Sequence, residues 1–212
     1  MKNEDTPRRR AWFAGAVAVT ILLGNIPSAA AASSISPKKW AKSFCTTVLD
    51  FRDELVSIGD QVVNYSEEAA SAVDADPSAV FDVIETTAGY LDDAVDVSSD
   101  TADDVRKLKK PAVGGGAKIK RVISKILGDG LEDLAFEFEA GATDLRSIAD
   151  QTSDPVEAAN LFVTASLQLS STFSSAGNAI RDAFNAVPDD PSIDPDQVLD
   201  RALARSSACE EF

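Results

Sequence analysis

The side chains best suited to acid–base chemistry in this chain are carboxylates, because the sequence contains no histidine. Without histidine, Ser-His-Asp and Cys-His catalysis, metal binding by imidazole and histidine-based pH sensing are all excluded. Six aspartates recur within one predicted helix: Asp92, Asp93, Asp96, Asp100, Asp103 and Asp104. Two such carboxylates could act as general acid and base only if burial raised the pKa of one of them. Because these positions flank an apolar seam, we expect a solvated helix face there and no catalytic residues.

Two further segments match ligand-binding loops only in part. Residues 114–118, Gly-Gly-Gly-Ala-Lys, lack the preceding strand, the four-residue spacing between glycines and the Lys-Ser/Thr pair of a phosphate-binding P-loop. We interpret them as a helix connection. Residues 189–196 contain several aspartates but lack the spacing and the glycine of an EF-hand calcium loop. The sequence therefore predicts no bound metal, no cofactor and no enzymatic activity.

The basic residues are concentrated in one part of a chain whose net charge is −15. Eight of them lie within twenty residues, and we call this set the basic end: Arg106, Lys107, Lys109, Lys110, Lys118, Lys120, Arg121 and Lys125. An up-down arrangement of helices would bring five more cations to it: Lys38, Lys39, Lys42, Arg201 and Arg205. One interpretation is that the basic end contacts an anionic lipid or wall polymer. The other is ordinary helix-end charge with local pairing to Asp103, Asp104 and Asp129.

The N-terminal region has the layout of a secretory signal. Arginines at residues 8–10 precede an apolar run over residues 11–26, and small residues follow over residues 28–34. This order predicts a signal peptide over residues 1–32 and a protein that is secreted or held in the cell envelope. The paired arginines leave both Sec and Tat export open.

The predicted cleavage site follows a run of three small residues that fits the A-x-A rule: Ala30, Ala31 and Ala32. The alternative is an uncleaved N-terminal anchor. Gly24, Asn25 and Pro27 interrupt the apolar run and leave fewer than the ~20 apolar residues that a spanning helix needs. No later segment is long and apolar enough to cross a membrane, so we expect no transmembrane span after cleavage.

Four dipeptides join a capping side chain to a proline, and each is a typical helix start: Ser36-Pro37, Asp76-Pro77, Asp154-Pro155 and Asp194-Pro195. The capping oxygen accepts backbone N–H groups, and proline suits the first helical position because no N–H is needed there. Apolar residues then recur at spacings of four and three, a period of about 3.5 residues that is typical of a bundle or coiled coil. The predicted helices cover these residues: 37–74, 77–110, 117–151, 155–187 and a short stretch from 195.

No segment alternates apolar and polar residues as a half-buried strand does, so the sequence predicts an all-α fold. We expect an elongated up-down-up-down four-helix bundle with a short fifth C-terminal helix, preceded by a signal-peptide helix. The bundle is predicted to be a single domain over residues 33–212. In the third helix we expect the apolar seam to pass through Val122, Ile126 and Leu127. We also expect the Gly-Asp-Gly at residues 128–130 to kink or split this helix.

The chain has two cysteines, Cys45 early in the first predicted helix and Cys209 near the C-terminus. In the up-down arrangement the fourth helix ends beside the start of the first, and the fifth helix folds back from that end, so the two thiols come near each other. In an exported chain such a pair indicates one disulfide bond, and two free thiols are the alternative.

Several motifs together resemble those of a group of exported actinobacterial helical proteins. The first helix carries Trp40-x4-Cys45 followed by Leu49 and Phe51. The other matching pieces are the glycine-rich turn at 113–117, the Asp-Pro at 154–155 and the Cys-x-x-Phe at 209–212. This resemblance covers nearly the whole chain after the signal and implies a helical bundle closed by one disulfide and exported from the cell. It implies no activity, because none is assigned to that group. The Gly-Asp-Gly in the third helix departs from the pattern.

These observations predict a secreted or envelope-associated, non-enzymatic helical protein that acts as an interaction or structural module. Its partner would be an envelope component or another protein, with peripheral contact to an anionic surface. The acidic net charge repels phosphates, so nucleic acid is not an expected partner. The alternative function is a carrier that holds a lipid or other apolar ligand between its helices. That alternative rests on small residues along the seam: Ala88, Ser98, Ala102, Ala142 and Ala176.

Overall fold

A computed structural model of the protein describes residues 34–186 and 197–209, which are helical apart from short connections. They form five α-helices: α1 (Pro37–Ala75), α2 (Val80–Lys107), α3 (Gly116–Gln151), α4 (Pro155–Ala186) and α5 (Val198–Leu203). Within these ranges no β-strand is formed, so the predicted all-α class is confirmed. The predicted signal peptide, with its cleavage residues Ala30, Ala31 and Ala32, and the aspartate-rich loop at 189–196 lie outside the described residues.

Three of the predicted helix starts are confirmed by their capping hydrogen bonds. The Ser36 side chain accepts the backbone N–H three residues later at 3.4 Å. Asp76 and Asp154 each accept the N–H two residues later, at 3.0 and 2.9 Å. These bonds satisfy N–H groups that the first turn of a helix leaves without a partner. Asp76 starts a 3-10 turn, Pro77–Ala79, so the regular helix α2 begins only at residue 80. The start predicted at Asp194 lies outside the described residues.

Helices α2 and α3 form the most extensive helix pair in the structure, and they run antiparallel. Arg106 at the end of α2 bonds to Asp129 in the first half of α3. Arg146 near the end of α3 bonds to Glu85 near the start of α2. Both helices contribute buried side chains to one hydrophobic cluster: Ile84, Ala88, Leu91, Val105, Leu131, Phe138 and Leu145. Removing this apolar surface from water is the main force that holds the pair together.

The other helices pack around this pair. Helix α1 packs on α2, α4 packs mainly on α3, and α5 packs on α1, whereas α1 and α4 make few contacts with each other in the described residues. The Tyr65 hydroxyl of α1 donates to the Asp82 carbonyl at 3.5 Å, and its ring meets Tyr90 edge-on at 6.1 Å. A Cβ at Gly141 of α3 would lie 2.4 Å from the Leu169 side chain of α4. Glycine therefore permits the close approach of α3 and α4.

Two predictions for the third helix were wrong in part: Leu127 is buried as expected but Val122 and Ile126 are not, and the helix is not split. Its buried stripe begins with three residues spaced by four: Ile119, Ile123 and Leu127. Ile126, which we expected in the seam, is 44% exposed, and Val122 is only partly buried. The helix is also continuous through residues 128–130. Gly128 is buried there because α2 passes close to it, and a Cβ would lie 3.1 Å from Nε of Arg106. This glycine therefore permits helix contact and does not interrupt α3.

Candidate functional site

A backbone bridge places the start of α1 beside the connection between α2 and α3. The N–H of Ile35 donates to the Lys110 carbonyl at 3.1 Å, and the N–H of Ala112 donates to the Ile35 carbonyl at 2.7 Å. These bonds form an isolated parallel bridge between Ile35 and Pro111, and Pro111 is almost fully buried. The lysines early in α1 therefore lie at the same end of the molecule as the basic end.

The glycine run in this connection has a defined structure. Gly115 has a φ of 81°, a left-handed conformation that favours glycine. Gly116 begins α3 against Pro111, and a Cβ at Gly116 would lie 2.0 Å from the Pro111 carbonyl oxygen. A Cβ at Gly114 would meet nothing within 4 Å. Two of the three glycines are therefore required by the turn that positions the first basic residues of α3.

The first of two depressions at the basic end, the α1–α2 depression, has a volume of about 530 Å³. Lysines from different segments line it: Lys39 and Lys42 from α1, Lys107 from the end of α2 and Lys109 from the connection that follows. Its other polar lining consists of Ser43, Thr47 and Asp104. The sequence suggested this convergence only through an assumed helix arrangement, whereas the structure brings the four lysines together.

The second depression, the α3 depression, has a volume of about 450 Å³ and lies along the first three turns of α3. Its lining combines four cations with one hydroxyl and one carboxylate: Arg106, Lys120, Arg121, Lys125, Ser124 and Asp129. The Ser124 Oγ is buried and has no hydrogen-bond partner within the part of the chain that the structure describes. A buried hydroxyl without a partner is uncommon in folded proteins. Sequence reasoning did not single out Ser124, because only its surroundings distinguish it from the other serines.

Arg106 is an ion-paired member of the basic end. Its guanidinium donates to Asp129 at 3.2 Å and also to Glu132, and it thereby links α2 to α3. The hydrogen bond with Glu132 is the largest cause that holds the pKa of Arg106 above its ordinary value. The same bond lowers the pKa of the Glu132 carboxyl. The charge of Arg106 is therefore offset within the fold.

Lys107 is also paired, whereas most of the basic end is not. Its ammonium lies 3.4 Å from Asp103 and 3.5 Å from Asp104, and the bond with Asp103 is the main cause of its raised pKa. In the part of the chain that the structure describes, five other members form no ion pair: Lys109, Lys110, Lys120, Arg121 and Lys125. Local pairing therefore explains two members of the basic end and leaves these five unexplained.

The six aspartates on α2, residues 92–104, are all exposed. Asp92 accepts a bond of 2.5 Å from Arg146, which also donates to Glu85 at 3.1 Å. These aspartates therefore lack the burial that general acid–base catalysis by a carboxyl group requires. Among the described residues, no three cysteine, aspartate or glutamate side chains come together as a metal-binding group.

The two cysteines lie at disulfide distance, with Cα atoms 5.3 Å apart. Cys45 is buried in α1, and Cys209 lies in the 3-10 turn Ser207–Cys209. Helix α5 ends at residue 203, so Cys209 follows the fifth helix and does not lie on it. Leu199 and Leu203 of α5 are buried in the main hydrophobic cluster. The C-terminal segment is therefore held to α1 by both packing and the sulfur bridge.

Helix α4 carries an exposed apolar face that the sequence patterns did not single out. Val156, Val163 and Leu167 are 68, 58 and 70% exposed, and their spacing of seven and four places them on one side of the helix. Phe162 and Leu169 of the same helix are partly buried against the core. Residues 155–169 therefore have apolar side chains both on the core side and on the solvent side of α4.

Within residues 34–186 and 197–209, none of the helices combines the length and the apolar composition that crossing a membrane requires. The resemblance to exported actinobacterial bundles stays a prediction. Comparison of the chain with models of protein families, with curated proteins and with solved structures finds no match in any of the three.

Proposed function

We propose that this protein is a non-enzymatic interaction module, secreted or attached to the cell envelope, whose basic end contacts an anionic component of that envelope. The observation that carries the proposal is the convergence of cations from three segments in a chain of net charge −15. Lys39 and Lys42 meet the end of α2, and the start of α3 adds Lys120, Arg121 and Lys125. Like charges placed together repel one another, so an anionic partner that lies against them is favoured.

The charge distribution also predicts how such a contact is oriented. The acidic face of α2 repels an anionic surface, so contact is favoured only at the basic end. Each cation that approaches an anionic surface contributes about 1 kcal/mol at most. Several such contributions add to a moderate affinity that weakens as salt screens the charges.

The proposal also includes the arrangement of the four long helices. After removal of residues 1–32, the four long helices form an up-down-up-down bundle, and the basic end lies at one tip of it. Support comes from the antiparallel pairing of α2 with α3, and from the bridge that holds Ile35 beside Lys110. The short connection between α3 and α4 favours the same alternation.

The structure favours this module over the lipid carrier. Ala88, Ser98, Ala102 and Ala142 are at most 1% exposed, and the Ser98 hydroxyl donates to the Ala94 carbonyl at 2.7 Å. Small buried residues of this kind let helices approach closely. They support a well-packed core rather than space for a ligand.

The test is retention of the protein by an isolated envelope fraction at low and high ionic strength. One variant replaces by glutamine the five cations that form no ion pair with any described residue: Lys109, Lys110, Lys120, Arg121 and Lys125. Its matched control conserves charge by replacing each of these lysines with arginine and Arg121 with lysine. We expect the wild type and the control to be retained at low salt, and the glutamine variant to be lost. Equal retention of all three proteins, or of none, would contradict the proposal.

A further inference from the structure

The start of α3 is basic, and its first turn holds Lys118 where a helix favours an acidic residue. Residues 116–128 contain Lys118, Lys120, Arg121 and Lys125 and no acidic residue, although the chain has 35 acidic residues in total. The N-terminus of a helix carries a partial positive charge, which favours acidic side chains there and disfavours basic ones. Local choices that oppose the fold are expected chiefly at functional sites.

Four of the seven residues that line the α3 depression carry side-chain hydrogen-bond donors with no partner among the described residues. Lys120, Arg121 and Lys125 form no ion pair in the described residues, and the buried Ser124 Oγ has no partner. Ala117, in the first turn of α3, also belongs to the lining. The carboxylate in the lining, Asp129, already accepts a bond from the Arg106 guanidinium.

We propose that the α3 depression binds a phosphate group, a proposal that rests on the function proposed above and names the chemistry of its partner. A phosphate offers at least three acceptor oxygens in a tetrahedral arrangement, so it can accept from several donors at once. Arg121 supplies a planar fork of N–H donors, the lysines supply point charges and Ser124 supplies a neutral hydroxyl. A carboxylate has two oxygens in one plane and is satisfied by the arginine fork alone.

The phosphate can belong to a lipid headgroup or to a soluble molecule, and two probes distinguish these sources. Vesicles of phosphatidylcholine with added phosphatidylglycerol present the group on a surface, and inorganic phosphate presents it in solution. Binding of the oxidised protein is measured by co-sedimentation with vesicles and by calorimetry with inorganic phosphate. The site requires binding to at least one of these probes, and the probe that binds identifies the source.

A pair of matched variants separates a specific site from general attraction. The first carries K120Q, R121Q and K125Q in the α3 depression, and the control carries K39Q, K42Q and K109Q in the α1–α2 depression. Both remove three positive charges from the same end of the molecule. We expect the first variant to lose about tenfold more affinity than the control, since it also loses direct hydrogen bonds to phosphate. An equal loss in both variants would overturn the site.

Ser124→Ala tests the same site without a change in charge. Removing a buried hydroxyl that has no partner leaves the free protein as stable as the wild type or slightly more stable. The same change removes one hydrogen bond to a charged ligand, so we expect phosphate affinity to fall about tenfold. Unchanged helix content in circular dichroism serves as the folding control. Wild-type affinity in this variant would overturn the assignment.

Polyglutamate is a polyanion without phosphate, and it distinguishes failure of the phosphate site from failure of the proposed function. If polyglutamate binds as tightly as phosphatidylglycerol vesicles, and both triple variants weaken it equally, the phosphate site is overturned and the anionic partner stands. If neither phosphate probe nor polyglutamate binds at low ionic strength, both proposals are overturned.

Discussion

Replacing Gly116 with alanine tests whether the turn between α2 and α3 is built around one close backbone contact. A Cβ at this position would lie 2.0 Å from the Pro111 carbonyl oxygen and 3.1 Å from its carbonyl carbon. Backbone atoms cannot rotate away as a flexible side chain can, so the start of α3 or the segment around Pro111 must shift. Pro111 is buried and paired with Ile35, and the shift therefore disturbs α1 as well.

The size of the effect follows from two opposing contributions. Forcing extra atoms into a packed site costs about 1–3 kcal/mol, and replacing glycine in a helix returns at most about 1 kcal/mol. Position 116 is the first residue of α3, where the helical gain is small, so we expect a net loss of about 2 kcal/mol. For a protein of this size, that loss lowers the melting temperature by about 4–8 °C.

The neighbouring glycines supply matched controls. At Gly114 a Cβ meets nothing within 4 Å, so Gly114→Ala should leave stability unchanged or raise it by about 0.4–1 kcal/mol. At Gly115 the φ of 81° makes alanine cost about 1–2 kcal/mol. Urea unfolding of the three oxidised variants, followed by circular dichroism, gives the order of stability. If Gly116→Ala is as stable as Gly114→Ala, the contact with Pro111 does not exist and the reasoning is refuted.

Three further predictions concern stability. Replacing Cys45 and Cys209 together by alanine opens a loop of sequence separation 164. The chain-entropy model predicts that the free energy of unfolding, measured in urea, falls by about 5 kcal/mol. A variant as stable as the wild type would contradict this prediction. Glu132→Gln removes a carboxyl whose pKa is lowered in the folded state. The stabilisation that comes from a lowered pKa is lost on acidification. As the pH drops below the ordinary glutamate pKa of 4.5, the melting temperature of the wild type should therefore fall more steeply than that of the variant. Parallel curves of melting temperature against pH would refute this. Arg146→Ala removes ion pairs across the α2–α3 interface, and since this side chain is 38% exposed, the loss should be only about 0.5–1 kcal/mol and should shrink with added salt.

Much of the helical structure could be predicted because its signals are local. Ser36, Asp76 and Asp154 cap the backbone within three residues of themselves, so their effect is visible in the sequence alone. The same local reasoning misplaced the seam at the start of α3. Ile123 and Ile126 are both apolar, and only the position of α2 decides which of them is buried.

The basic end could be identified from the sequence, but its division into two depressions could not. Lys39 and Lys42 meet the end of α2 because Ile35 pairs with the following connection. That bridge uses backbone atoms, which leave no pattern in the side chains. The roles of the glycines were hidden for a similar reason, since φ at Gly115 and the contact at Gly116 depend on the folded chain.

The covalent link between Cys45 and Cys209 decides which part of the chain carries a mechanical load. A pulling force applied to residues 34 and 209 passes from the first turns of α1 directly into the two sulfur atoms. The helices inside the closed loop then bear no tension, however strongly the ends are pulled. Reduction would add the 164-residue separation to the stretchable length, about 540–590 Å of extended chain. The oxidised protein is thus a short, stiff tether, and the reduced protein is a long and extensible one.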